Sequence, residues 1–91
     1  MAHYQVLSWK HLPSQIKAWD ETGEVKHLLS QRFQVAIDAA AMADGSMATD
    51  DYLEGWAWGP VETRDGPGAD VLRAVVAELE ARFQEITKGQ G

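Results

Sequence analysis

The chain has 91 residues, a net charge of -6 and a pI near 4.8. Its hydrophobic content of 45% and charged content of 24% are those of a globular domain, which excludes a chain too polar to fold. Cysteine is absent, so disulfides, thiolate metal sites and a cysteine nucleophile are excluded. No apolar run approaches the roughly 18 residues that span a bilayer, and no signal-peptide pattern opens the chain. The acidity is a poor match to a phosphate backbone. The expectation is one cytoplasmic domain over residues 1–91, ordered from about 3 to 87, with no membrane and no nucleic acid among its partners.

His3 to Trp9 is rich in strand formers. Tyr4, Val6 and Ser8 fall on one side, and Gln5, Leu7 and Trp9 on the other. Lys10 to Ser14 contains Pro13 and reads as a loop. Gln15–Asp20 and Glu24–Leu28 both alternate, with Gly23 between them, and predict a β-hairpin. A helix over Ser14–Asp20 is the competing assignment. Ser30 is a good N-cap, its hydroxyl suited to accept a first-turn amide, and Gln31–Asp44 then reads as a helix. Phe33, Ile37, Ala40 and Ala41 share one face of it. Ala36, Ala39, Ala40 and Ala41 keep that face slim, and Gly45 is the natural stop.

Thr49 is placed to cap a short helix from Asp50 to about Gly55, with Tyr52, Leu53 and Trp56 facing inward. Trp58–Thr63 reads as a short extended segment, and Arg64–Gly68 as a turn. Ala69–Ile86 predicts the longest helix, with Leu72, Val75, Val76, Leu79, Phe83 and Ile86 on one stripe. Thr87–Gly91 is expected to fray. The fold class is α+β: a three- to four-stranded, mostly antiparallel sheet in the order β-β-β-α-α-(β)-α, covered by the first and third helices.

No catalytic frame emerges. Ser8, Ser14, Ser30 and Ser46 lie in no nucleophile elbow, and no phosphate-binding glycine loop is present. The carboxylate pairs Asp50/Asp51 and Glu78/Glu80 are too close in sequence to face each other on a helix. A calcium loop starting at Asp44 fails, because its sixth position is Thr49 and its twelfth is Gly55. His3, His11 and His27 match no metal spacing. The chain is therefore read as non-catalytic, with no cofactor and no metal.

Four tryptophans in 91 residues suggest binding as well as packing. Trp19, Trp56 and Trp58 are the candidate partner contacts, and Asp50, Asp51 and Glu54 a candidate acidic rim. Charge is uneven: residues 1–45 hold five acids and four bases, whereas residues 46–91 hold nine acids and four bases. A protein partner is expected, and a homo-oligomer is compatible with these features.

Ser30–Met42, with the core Arg32-Phe33-Gln34 and Ala36-Ile37-Asp38, and the following Thr49–Trp56, with Tyr52-Leu53-Glu54, resemble the small bacterial "virulence factor" domain. That domain also stands at the C-terminus of conserved virulence factor C proteins. Trp9 followed by Pro13-Ser14-Gln15-Ile16 is similar to the family's early motif. The family's Gly-Arg-rich hairpin turn is replaced here by Asp20-Glu21-Thr22-Gly23. The resemblance implies an interaction or accessory module of a larger bacterial assembly, and it carries over no catalytic residue. It also implies a second reading, a small-molecule- or metal-binding accessory subunit of a corrinoid/folate methyl-transfer system, using the His3/His11/His27 region.

Overall fold

A computed structural model describes residues 1–45 and 50–88. The Ser46 loop, the Thr49 cap and the tail from Gly89 lie outside those residues. The first three elements form a meander: β1 (Ala2–Trp9), β2 (Leu12–Asp20) and β3 (Gly23–Leu28). Helix α1 (Gln31–Asp44) and the short α2 (Asp50–Glu54) follow. Two three-residue strands come next, β4 (Trp56–Trp58) and β5 (Glu62–Arg64). The chain closes with α3 (Gly68–Ala81) and α4 (Phe83–Thr87). The sheet is antiparallel, in the order β3-β2-β1-β4, and β5 also pairs with β1. Thus β4 and β5 lie end to end along one edge of β1. Gly59 joins them by donating its N–H to Val6 O at 2.9 Å.

The expected loop at Lys10–Ser14 shrinks to a two-residue turn, and β2 begins three residues earlier than expected. Pro13 sits inside β2, opposite Ser8. It is tolerated because β3 pairs only as far as Gln15, so at Pro13 one flank of β2 has no partner strand. The register shifts between Leu7 and Ser8, leaving Ser14 as the extra residue of a bulge. In the turn, Lys10 adopts φ 55°. Three contacts hold it there: its N–H donates to Gly55 O at 2.8 Å, its ammonium pairs with Asp44, and it lies 4.7 Å from the centre of the Trp9 ring.

Cross-strand partners share a face, so the register sorts the sheet into two sides. Tyr4, Ala18 and Val25 align, as do Val6, Ile16 and His27. This side packs against the helices. Ala2, Ile16 and Ala18 are buried with Leu29, Phe33, Val71, Leu72 and Val75, and Val76, Leu79, Phe83 and Ile86 pack around them. Past the bulge, Trp9 and Leu12 are buried with Ile37 and Ala41 of α1 in a second cluster. The body measures 42 × 26 × 18 Å. A thickness of 18 Å is one helix layer on one sheet.

Three carboxylates clamp α3. Arg64 forms a two-pronged ion pair with Glu78 at 2.6 and 2.7 Å, joining β5 to the helix. Glu80 accepts from both the N–H and the hydroxyl of Ser30 at 2.7 Å, and from Arg32, joining α3 to the start of α1. The Ser30 hydroxyl is therefore spent on Glu80 and makes no bond to its own helix, unlike the cap expected of it. Asp20 accepts from the Thr22 hydroxyl at 2.6 Å, the Thr22 N–H at 2.8 Å and the Gly68 N–H at 2.6 Å. Those bonds, first the Thr22 hydroxyl and then the Gly68 amide, hold its carboxyl down at about 2.

The final helix is broken at Arg82, which leaves the helical region at φ -99°, ψ 10°. The apolar stripe is nevertheless kept across the break, with Phe33 and Phe83 edge to face at 4.9 Å. Leu53, expected inward, is 68% exposed, because α2 turns Tyr52 instead toward the Trp9 cluster. Ala39, expected on the slim face of α1, is exposed as well. The extended segment over Trp58–Thr63 resolves into the ends of β4 and β5 around Gly59.

Candidate functional site

The second side of the sheet carries no helix among the described residues. The register places three rows on it. The first runs Thr63, His3, Trp19, Glu24; the second Gln5, Lys17, Lys26; the third Trp58, Leu7, Gln15, Leu28. Strand alternation alone puts Lys17 and Trp19 here, since Ile16 and Ala18 point into the core. Trp58 arrives by another route, because β4 pairs with β1 and sets Trp58 opposite Leu7.

The centre of this face is a ladder of rings and one cation. Lys17 Nζ lies 4.4 Å from the Trp58 ring centre and 5.7 Å from that of Trp19. The His3 ring is tilted against Trp19, with centres 5.7 Å apart. His3 is fixed from its other flank by a 2.9 Å hydrogen bond between Nδ1 and the Thr63 hydroxyl. Each cation–π contact at such an exposed site is worth about 0.5–1 kcal/mol, enough to order the side chains without burying them. Trp58 is 39% exposed and Leu28 67%. The result is a pre-ordered surface with Lys17 over its rings, and its tryptophans are of the type enriched at protein interfaces.

The six residues singled out from sequence divide between different places. Trp19 and Trp58 flank Lys17 on the open face. Trp56 is half-buried, edge to face with Tyr52 at 6.2 Å, and packs against the Trp9 cluster. Asp51 and Glu54 line an open polar groove of about 550 Å³ with Lys10, Asp44 and Gly55. Asp50 is exposed in the first turn of α2, where negative charge suits the helix dipole. Lys17, His3 and Leu7 complete the ring surface; His3 was considered only with His11 and His27, and Lys17 and Leu7 were not singled out. The alternation of Gln15–Trp19 already places Lys17 beside Trp19.

The three histidines stand apart. His3 is on the open face, His11 is in the β1–β2 turn, and His27 is on the helix side of β3. Pairing of β1 with β2 does not bring His3 to His27, because β2 lies between their strands and the two side chains take opposite faces. Among the described residues, no three histidine, aspartate or glutamate side chains are grouped to hold a metal ion. No helix among them is long and apolar enough to cross a membrane.

A family model described as "Virulence factor" matches residues 7–87. The chain belongs to the virulence factor family. The match runs from Leu7, late in β1, to the end of α4, so the second core cluster, most of the first and the Lys17, Trp19 and Trp58 side chains lie within it, while Ala2 and His3 precede it. No curated protein and no solved structure matches the chain.

Proposed function

We propose that this virulence factor domain is a non-catalytic interaction module, and that its open sheet face is the surface through which it holds a protein partner in a larger bacterial assembly. The observation that carries this reading is the Trp19–Lys17–Trp58 ladder on a helix-free face. Aromatic rings stabilise a fold most when buried, yet Trp58 is exposed, Trp19 is only half-buried, and Lys17 braces both. Large rings held in one conformation lose little entropy on binding, which suits them to anchor a partner. The virulence association of the family fits a role exercised through partners.

The test is affinity capture from the native host, comparing the parent chain with Lys17→Ala, Trp58→Ala and, as a control, Leu53→Ala on the exposed side of α2. A partner held by the parent and by Leu53→Ala, and lost with Trp58→Ala and Lys17→Ala, is the expected outcome. Equal recovery by all four chains would refute the assignment of this face.

A further inference from the structure

We propose that the free edge of β3 is a self-complementary seam through which two copies of this chain join their sheets. β3 is the outermost strand, and all six of its residues are exposed. Among the described residues nothing pairs with its outer side. A bare strand edge is a template for another strand unless it is blocked. β3 contains no proline and no bulge, and its register with β2 is unbroken.

The direction of its free backbone groups follows from the neighbouring strands. Val6 O accepts from Gly59, so Val6 bonds outward on the far edge of β1, and Gln5 and Leu7 bond toward β2. Their partners Lys17 and Gln15 therefore bond back to β1, while Ile16 and Ala18 bond to His27 and Val25. That leaves Glu24, Lys26 and Leu28 with N–H and C=O groups directed away from the sheet.

Only certain antiparallel registers let these groups meet their copies. Centred on Lys26, the seam puts Lys26 against Lys26 of the second copy, and like charges directly opposed are destabilising. Centred on Glu24, it opposes two glutamates and pairs little else. Centred on Val25, it sets Glu24 opposite Lys26 twice, by symmetry, and Val25 against Val25 on the helix side. Gly23 then faces His27 and offers no side chain to obstruct it. Within one chain the Glu24–Lys26 pair is loose, at 3.9 Å with both groups about half exposed, so each charge is available to the other copy. The Val25-centred register is thus the one in which charge, apolar contact and hydrogen-bond direction agree. It forms one continuous sheet with the two Trp19–Lys17–Trp58 ladders on the same side.

The experiment is sedimentation equilibrium of the full chain up to about 1 mM, the range in which a short edge seam associates. The parent chain is expected to approach twice its 10.1 kDa mass. Glu24→Lys and Lys26→Glu each set like charges against each other twice, and each should weaken association about tenfold. Glu24→Lys combined with Lys26→Glu restores opposite charges and should restore the dimer. Amide exchange at Glu24 and Lys26 should slow with rising concentration, while that at Val25 and His27 stays unchanged. A monomer at every concentration, a dimer insensitive to the single reversals, or no recovery in the double reversal would overturn the proposal. All three chains alter exposed side chains only, and a far-ultraviolet spectrum like the parent's establishes that they are folded.

Discussion

Gly55→Ala places one methyl group where the fold has no room for it. A Cβ built on Gly55 lies 2.5 Å from Trp9 Nε1 and 2.9 Å from Cδ1 and Cε2. Ordinary contact needs roughly 3.5 Å or more, so the ring or the backbone must retreat by about 1 Å. Neither is free to do so. Trp9 is only 1% exposed, and its indole N–H donates to Tyr52 O at 2.8 Å. The Gly55 carbonyl accepts from Lys10 N–H, which also holds the strained turn residue. Overpacking of this kind costs about 1–3 kcal/mol, and losing the indole bond adds about 1 kcal/mol. A total near 2–4 kcal/mol lowers the melting temperature of a domain this size by roughly 10–25 °C. Thermal melts followed by near-ultraviolet dichroism measure it. Gly59→Ala is the internal control, because a Cβ there meets only Val6 O at an ordinary 3.5 Å, and its melt should stay close to the parent's. If Gly55→Ala also melts within a few degrees of the parent, the close packing of Trp9 on Gly55 is wrong.

The Asp20 carboxyl is lowered in the folded chain from 3.8 to about 2, so the native state binds fewer protons than the unfolded one between those values. Its contribution is therefore present above about pH 4 and lost as pH falls through about 2, and the stability gap between the parent and Asp20→Asn should close over that window in acid-dependent urea titrations. Single-tryptophan variants should rank in acrylamide quenching as Trp58 most accessible, Trp19 and Trp56 intermediate and Trp9 shielded; a shielded Trp58 would remove the proposed anchor. Partner binding through the open face should change little between 50 and 500 mM salt, because Lys17 and Lys26 there are offset only by Glu24. A steep loss with salt would instead place the contact on the acidic α2 groove.

Local chemistry was legible where it decided the outcome. Gln31–Asp44 ends at Gly45 as its composition requires, with Gly45 at φ 74° donating back to the last turn. The stripe from Leu72 to Ile86 is the side that packs, although the helix breaks at Arg82. What escaped the sequence depended on distant partners. Pro13 reads as a strand breaker until β3 is known to stop at Gln15. Ser30 reads as a cap until Glu80, fifty residues away, takes its hydroxyl. Half of the candidate site followed the same division. Trp19 and Lys17 share a face by alternation alone, whereas Trp58 joins them only through the pairing of β4 with β1, and Trp56 leaves them because Tyr52 and Trp9 offer it a packed site.

The halves of the chain are not the halves of its electrostatics. The four helices carry nine acidic and two basic side chains, a net of -7. The remainder holds five acids and six bases, a net of +1, out of the chain's total of -6. Because α3 and the start of α1 pack on one side of the sheet, that side carries Asp70, Glu78 and Glu80, whereas the rows on the other, which hold Lys17 and Lys26, carry Glu24 alone as an acid. The buried apolar residues of the described chain fill the two core clusters. The second face of the sheet carries the polar side chains of Lys17, Lys26, Gln5 and Gln15 and is kept from strong repulsion by the absence of the helices' negative charge. A partner met there need not be basic. It needs a surface able to exclude water from two tryptophans and a leucine, and the acidic helix side then serves to keep the free domain from binding itself indiscriminately.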